Sequence, residues 1–202
     1  MEPQAEVLID GAGNLYGTTI LGGQGCSALG CGVVYKLNQS GHGWTETVLY
    51  SFTGGSDGGG PYGGLISDAA GNLYGTTLYG GAHDRGGTVF ELTPSNGGWT
   101  FTTLYSLYGD QGPDATLAMD RAGNLYGTAS GDPFGSGSVF ELERSGGGWT
   151  FNELHVFGGS DGSMLYGAPL LDSGGNVYGT TNLGGESQNC ASGCGVAWEI
   201  TR

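Results

Sequence analysis

The chain has 202 residues, of which 46 are Gly and 6 are Pro, and this share of helix-breaking residues excludes a helical protein. Asp and Glu number 19 against 5 Lys and Arg, giving a formal net charge of −14, which disfavours nucleic acid and anionic membrane surfaces as partners. No apolar run approaches the roughly 20 residues of a membrane-spanning helix, so no membrane insertion is expected.

One ten-residue motif occurs four times and organises the chain. It reads Asp-Gly-Ala-Gly-Asn-Leu-Tyr-Gly-Thr-Thr at residues 10–19 and recurs with few changes, its Asn moving along the chain by 58, 52 and 52 residues. The glycines are therefore periodic, which together with 37% apolar residues argues against disorder. The chain is interpreted as one domain of four repeats, at residues 1–58, 59–110, 111–162 and 163–202.

Each repeat is predicted to contain up to four short strands, called a, b, c and d in chain order. Strand d is the clearest, because its large residues mostly alternate as in a half-buried strand. Strands a to c occur four times but strand d only three times, since the sequence stops at Arg202. The last repeat is therefore predicted to have an open edge, either capped by its own loops or paired with another chain. In the second repeat the strands are predicted at residues 64–67, 72–77, 87–92 and 99–107.

A repeat of about 50 residues with four antiparallel strands is typical of one blade of a β-propeller. The sequence therefore predicts an all-β protein, a four-bladed β-propeller whose last blade lacks its outer strand. Two alternatives stay open. A β-solenoid is disfavoured by the hairpin turn between strands a and b, and the chain could instead form half of a larger ring.

The recurring segments Gly-Asn-Leu-Tyr-Gly-Thr-Thr, Gly-Thr-Val-Phe-Glu-Leu, Leu-Tyr-Ser-Phe and Gly-Gly-Ser-Asp-Gly together resemble the GloVer tandem repeats of secreted and surface-attached bacterial proteins. The resemblance covers essentially the whole chain. It implies an exported protein with a propeller-like fold and no established catalytic activity. We therefore expect an extracellular or cell-surface location, although no signal peptide is recognisable at the start of the chain.

Four cysteines lie in the loops between strands b and c of the first and last repeats. An even number of cysteines in an exported chain predicts two disulfides. Pairing within each loop, Cys26 with Cys31 and Cys190 with Cys194, is favoured as the simplest choice, and bonds between the two loops remain open because these loops become neighbours if the ring closes. A zinc site is disfavoured because the spacings are not Cys-x-x-Cys and no His is nearby. The four residues are Cys26, Cys31, Cys190 and Cys194.

Two families of aspartates recur. The first lies in the turn between strands a and b, where a carboxylate accepts hydrogen bonds from the backbone, and a role as turn cap is favoured over an acid cluster. The second lies in the loops between strands d and a, where a carboxylate among backbone carbonyls suits Ca²⁺, although the same loops are also explained as turns. The turn caps are Asp10, Asp68, Asp120 and Asp172, and the candidate Ca²⁺ ligands are Asp57, Asp110 and Asp161.

Nothing in the sequence resembles a catalytic constellation, and near-identical repeats lack the asymmetry that catalysis needs. No cofactor is required, Ca²⁺ being the one candidate. The favoured hypothesis is a non-catalytic extracellular structural module that self-associates into a homo-oligomer or filament through its open edge. The second is a β-propeller that binds a glycan or a protein, and the least favoured is a propeller hydrolase or lyase.

Overall fold

A computed structural model describes residues 2–26, 29–83, 85–109, 112–130, 137–185 and 193–202. Within these residues, fifteen strands form four antiparallel sheets, each built from consecutive strands. None of the described segments forms a helix long and apolar enough to cross a membrane. Sheet 1 contains β1 (Leu8–Ile9), β2 (Leu15–Thr19), β3 (Val33–Ser40) and β4 (Gly43–Ser51); sheet 2 contains β5 (Ile66–Ser67), β6 (Leu73–Thr77), β7 (Thr88–Ser95) and β8 (Gly98–Ser106); sheet 3 contains β9 (Ala118–Met119), β10 (Leu125–Ala129), β11 (Ser138–Ser145) and β12 (Gly148–Val156); sheet 4 contains β13 (Leu170–Leu171), β14 (Val177–Thr180) and β15 (Ala197–Ile200).

The predicted all-β, propeller-like arrangement is confirmed. Sheets 1 to 3 each have four strands in the spatial order a, b, c, d, and sheet 4 has three, in the order a, b, c. None of the sheets closes into a barrel. Strands c and d are the longest elements, because their hairpins extend beyond the residues that pair with strand b.

The tight turn between strands a and b follows from the Asp-x-x-Gly-Asn sequence. In the second repeat, Asp68 N–H donates to the Asn72 carbonyl at 3.1 Å, and Gly71 N–H donates to the Asp68 carbonyl at 3.1 Å. Gly71 has a φ of 83°, a conformation that costs a residue with a side chain about 1 kcal/mol or more. The glycine therefore reverses the chain, and the aspartate holds the reversal.

A β-bulge in every strand d places two adjacent side chains on the same side of the sheet. In sheet 2, Val89 pairs with Tyr105 but Phe90 pairs with Thr103, so Leu104 is the extra residue. Leu104 and Tyr105 consequently pack against the same core cluster. The same shift occurs in sheets 1 and 3.

Each sheet packs one face, here called the forward face, against the backward face of the next sheet along the chain. Three separate hydrophobic clusters lie between sheets 1 and 2, 2 and 3, and 3 and 4. Aromatic pairs reinforce the first two, since the Tyr16 and Trp99 rings lie 6.2 Å apart and the Tyr74 and Trp149 rings 6.3 Å apart. In sheet 2 the forward face carries Ile66, Tyr74 and Val89, and the backward face carries Leu65, Leu73, Phe90, Leu92 and Trp99.

The forward face of sheet 4 and the backward face of sheet 1 are exposed. On sheet 4, Leu170 is 70% exposed, although its equivalent Ile66 packs between sheets 2 and 3. On sheet 1, Val7 is 43% exposed, whereas its equivalent Leu65 is 3% exposed. These two faces are the uncovered ends of the series of sheets.

Candidate functional site

A cavity of about 540 Å³ lies where the first strands of all four repeats converge. Each repeat contributes at least one lining residue, among them Glu6, Tyr62, Asp114 and Tyr166. Equivalent hydroxyl-to-carbonyl hydrogen bonds join neighbouring sheets beside this central cavity, from Thr18 to Gly63 at 2.9 Å, from Thr76 to Ala115 at 3.3 Å and from Thr128 to Gly167 at 3.0 Å. The cavity is therefore a product of the repeat arrangement.

The central cavity is acidic. The Thr116 hydroxyl donates to Glu6 Oε1 at 2.8 Å and accepts from the Gly64 N–H at 2.8 Å. Asp114 Oδ1 is buried and has no hydrogen-bond partner among the described residues. Burial raises the pKa of Asp114 to about 6, and its hydrogen bonds only partly oppose the shift. Desolvation thus disfavours the charged form of this carboxyl group.

We expect Asp114→Asn to stabilise the protein at pH 8 by about 1–2 kcal/mol, a figure that allows for partial solvent exposure. The folded-state pKa of Asp114, about 6, lies above the ordinary 3.8. The neutral acid therefore contributes stability that is full below about pH 4 and is lost as the pH rises through 6. The gain in the free energy of unfolding, measured by urea denaturation, should be constant from pH 8 to about pH 7 and should shrink as the pH falls through 6 toward 4.

The exposed Glu2→Gln variant removes the same charge and serves as the control for that measurement. It should show neither the stabilisation nor its pH dependence. An Asp114→Asn gain that is equal at pH 8 and pH 5 would contradict the assignment.

The turn aspartates form the same network in every repeat. Asp68 Oδ1 accepts from the Ala70 and Asn72 N–H groups, both at 2.9 Å, and Oδ2 accepts from Asn72 Nδ2 at 2.8 Å and from the Tyr74 hydroxyl at 3.1 Å. Hydrogen bonding, led by the Asn14 side chain, lowers the pKa of Asp10 to about 2. Burial works against the shift at Asp68, but the hydrogen bonds outweigh it and its pKa is also lowered. The equivalent carboxylates with the same four donors are those of Asp10, Asp120 and Asp172.

The tyrosine of this network also reaches strand c. The Tyr74 hydroxyl lies 2.9 Å from Glu91 Oε1, and burial followed by the hydrogen bond with Glu91 raises the pKa of Tyr74. Tyr126 with Glu141 and Tyr178 with Glu199 repeat the contact at 2.9 Å. In repeat 1 the glutamate position holds Lys36, whose Nζ lies 5.3 Å from the Tyr16 ring centroid. The network therefore ties the turn, strand b and strand c together.

The second aspartate family is engaged by its own loops. Asp57 is buried and accepts from the Thr53 N–H at 2.8 Å, the Thr53 hydroxyl at 2.5 Å and the Tyr50 hydroxyl at 3.1 Å. Asp161 accepts from the Gly158 N–H at 2.7 Å and contacts His155 Nε2 at 2.9 Å, and that His155 contact is the main cause of its lowered pKa. Asp110 lies outside the described residues. Across the described part of the chain, no three His, Cys, Asp or Glu side chains group as a metal site.

Comparison with known families identifies the repeat. The sequence model of the Gloeobacter/Verrucomicrobia repeat matches residues 1–192. The chain belongs to this repeat family. No curated protein matches the chain.

In this Gloeobacter/Verrucomicrobia repeat protein, the loop between β2 and β3 contains a disulfide between Cys26 and Cys31, whose Cα atoms lie 5.5 Å apart. Cys194 is also disulfide-bonded, and Cys190 lies outside the described residues. The Cys26–Cys31 bond closes a loop with a sequence separation of 5. It therefore restrains that loop locally rather than joining distant parts of the repeat protein.

Sequence reasoning missed Arg202. Its guanidinium lies 5.4 Å from the Tyr126 ring centroid, in the place that Trp99 and Trp149 take over Tyr16 and Tyr74. Arg202 Nη2 lies 2.5 Å from Glu141 Oε2, and the Glu141 side chain is only 2% exposed. A signal was available in the fourth repeat, whose one Trp, Trp198, lies in strand c and not at the position equivalent to Trp99 and Trp149.

Proposed function

We propose that this chain is a non-catalytic structural module of the extracellular space, which assembles by accepting a strand from another copy at the edge of sheet 4. The observation that carries the proposal is the arrangement of the sheets. Sheets 1 to 3 have a strand d beside strand c, whereas β15 is the outermost described strand of sheet 4. An exposed strand edge is a template for pairing with a further strand.

The hydrogen-bonding pattern supports an edge with free backbone groups. Thr181 N–H donates to the Val196 carbonyl at 2.9 Å. Because bonded and non-bonded pairs alternate along an antiparallel ladder, the next residue, Ala197, and then Glu199 turn their N–H and C=O groups away from β14. These groups point to the side that strand d occupies in sheets 1 to 3.

The polar side chains support a structural role. The four turn aspartates each accept from four donors within their own repeat, as described for Asp68. A carboxylate saturated in this way is a poor base or nucleophile, since its pKa is lowered and its lone pairs are occupied. The proposed function requires no bound ion, because Asp57 and Asp161 are engaged by loop donors. The Cys26–Cys31 disulfide suits an oxidising extracellular location.

The edge is tested by Glu199→Pro with Glu199→Ala as its matched control. Both variants remove the same side chain, but only proline removes the outward N–H. We expect the unmodified chain to form larger species at high concentration in sedimentation velocity and ordered assemblies in electron microscopy. Glu199→Ala should keep them, whereas Glu199→Pro should lose the ordered assemblies that depend on strand addition. A chain that stays monomeric throughout, or a Glu199→Pro variant that assembles normally, would refute strand addition.

A second function, glycan binding, is favoured by the central cavity alone. Tyr62 and Tyr166 are exposed at its lining, and aromatic rings beside carboxylates and hydroxyls suit the faces and hydroxyl groups of a sugar. Glycan-array binding that Tyr166→Ala abolishes would support this function. An array with no signal would argue against it.

A further inference from the structure

The two exposed end faces carry the residue types that cover each other elsewhere in the molecule. The forward face of sheet 4 presents Leu170, Tyr178, Thr180 and Ala197, together with Glu199, which pairs with Tyr178. Their equivalents in sheets 1 to 3 are buried or half-buried against the next sheet; Tyr16, Tyr74 and Tyr126 are no more than 7% exposed. Leu170, in contrast, is 70% exposed. Sheet 4 thus has a mainly apolar forward face that no other sheet covers within the described residues.

The backward face of sheet 1 is the counterpart. Trp44 is 50% exposed and Val7 is 43% exposed. The equivalent positions in sheets 2 and 3 are Trp99 and Trp149, which pack on a tyrosine of the preceding sheet, and Leu65 and Leu117, which are each 3% exposed. Sheet 1 therefore has an apolar backward face that none of the described sheets covers.

We propose that these faces bind each other between two copies of the chain, the forward face of sheet 4 in one copy packing on the backward face of sheet 1 in the next. The internal interfaces specify the contact. Tyr178 takes the place of Tyr16 and Tyr74 against Trp44 of the second copy. Thr180, equivalent to Thr18, Thr76 and Thr128, donates to the Ala5 carbonyl of the second copy, the position of Gly63, Ala115 and Gly167.

One departure from the repeat fits this contact. Where sheets 2 and 3 have Phe101 and Phe151, which stack on a tyrosine of the preceding strand d at 4.1 Å and 4.3 Å, sheet 1 has the exposed Glu46. Sheet 4 has no described strand d to receive a ring there. A carboxylate at this position therefore stays in water when sheet 4 docks.

The contact is heterologous, since it joins two different faces, and it can repeat from copy to copy. Because each copy carries a net charge of −14, repulsion opposes the approach and is screened by salt. Association should therefore strengthen as the NaCl concentration rises. The contact uses sheet faces rather than the β15 edge, so it stands whether or not that edge accepts a strand.

The test uses two variants that each disable one face of the full chain, Leu170→Asp on sheet 4 and Val7→Asp on sheet 1. Both side chains are exposed, so the variants should fold, which circular dichroism and the unfolding midpoint check. In a Glu199→Pro background, which removes the edge contact, each variant alone should associate at least about tenfold more weakly than Glu199→Pro itself in sedimentation velocity. Tyr108→Asp, which adds the same charge at an exposed aromatic residue outside both faces, should associate normally.

Mixing the two variants gives the decisive result. Both variants carry Glu199→Pro in this mixture, so that the β15 edge cannot contribute. Leu170→Asp keeps the backward face and Val7→Asp keeps the forward face, so the mixture should form a one-to-one dimer and nothing larger. A mixture that stays monomeric overturns the proposal, as does undiminished association of either variant alone. If the face variants associate normally while Glu199→Pro does not, the edge alone mediates assembly and the face contact is wrong.

Discussion

Arg202→Met is expected to lower the free energy of unfolding by about 3 kcal/mol at neutral pH, the low end of the range for breaking a buried ion pair. The Glu141 side chain is 2% exposed and loses its only salt-bridge partner among the described residues, while Arg202 is itself 36% exposed. Methionine keeps much of the side-chain volume over Tyr126 but supplies no charge. Urea denaturation followed by circular dichroism measures the loss.

Two further variants separate the charge from the packing. Glu141→Gln combined with Arg202→Met removes the isolated carboxylate, so the double variant should recover most of the lost stability, with a coupling energy of about 1–3 kcal/mol. Arg144→Met is the matched control, because its guanidinium also lies 5.4 Å from an aromatic ring, that of Trp149, and it forms no ion pair with a buried acid among the described residues. A loss for Arg144→Met as large as that for Arg202→Met would show that the Glu141 pair contributes nothing special.

Gly127→Ala is expected to lower the free energy of unfolding by about 2–3 kcal/mol, the upper part of the range for overpacking a core. Gly127 lies within β10, and a Cβ there would overlap the ring of Phe140, with Cε1 and Cε2 both 2.8 Å away. Phe140 is completely buried, so its ring has no space to move aside. Thermal unfolding should show a midpoint lowered by roughly 4–12 °C for a chain of this size.

Gly11→Ala is the control for that substitution. An added Cβ at Gly11 has nothing within 4 Å, so this variant should be neutral or slightly stabilising. Phe140→Leu should rescue part of the Gly127→Ala loss by removing ring atoms from the overlap. If Gly127→Ala and Gly11→Ala unfold alike, close approach of the ring to the strand is not a determinant of stability.

The strands were predictable because each repeat supplies local signals that agree with the fold. Asp-x-x-Gly-Asn specifies the turn, and the alternation in strand d specifies one buried side. The bulge at Leu104 was less visible, since it places two consecutive large residues on one side and breaks the alternation. A bulge depends on the pairing of two strands, which the sequence of one strand does not reveal.

The central cavity and the Glu141 pair were not predictable for a different reason. Asp114 and Glu6 are far apart in sequence and become neighbours only because the repeats turn about a common centre. Arg202 pairs with Glu141 across 61 positions of the chain. Such contacts depend on the angle between neighbouring sheets. The alternation of apolar residues along the sequence predicts the individual strands and does not predict that angle.

The hydrogen bonds from Thr18, Thr76 and Thr128 to the next repeat lie beside the central cavity, and the contacts of Tyr16 with Trp99 and of Tyr74 with Trp149 reach the outermost strand. Neighbouring sheets therefore contact each other both beside the central cavity and at the outermost strand. Together these two sets of contacts fix the angle between the sheets. The angle between two sheets is set by their own contacts and does not depend on closure of the ring. Duplication of one repeat would therefore lengthen such an array by one sheet, and the contacts with the neighbouring sheet would set the angle of the new one.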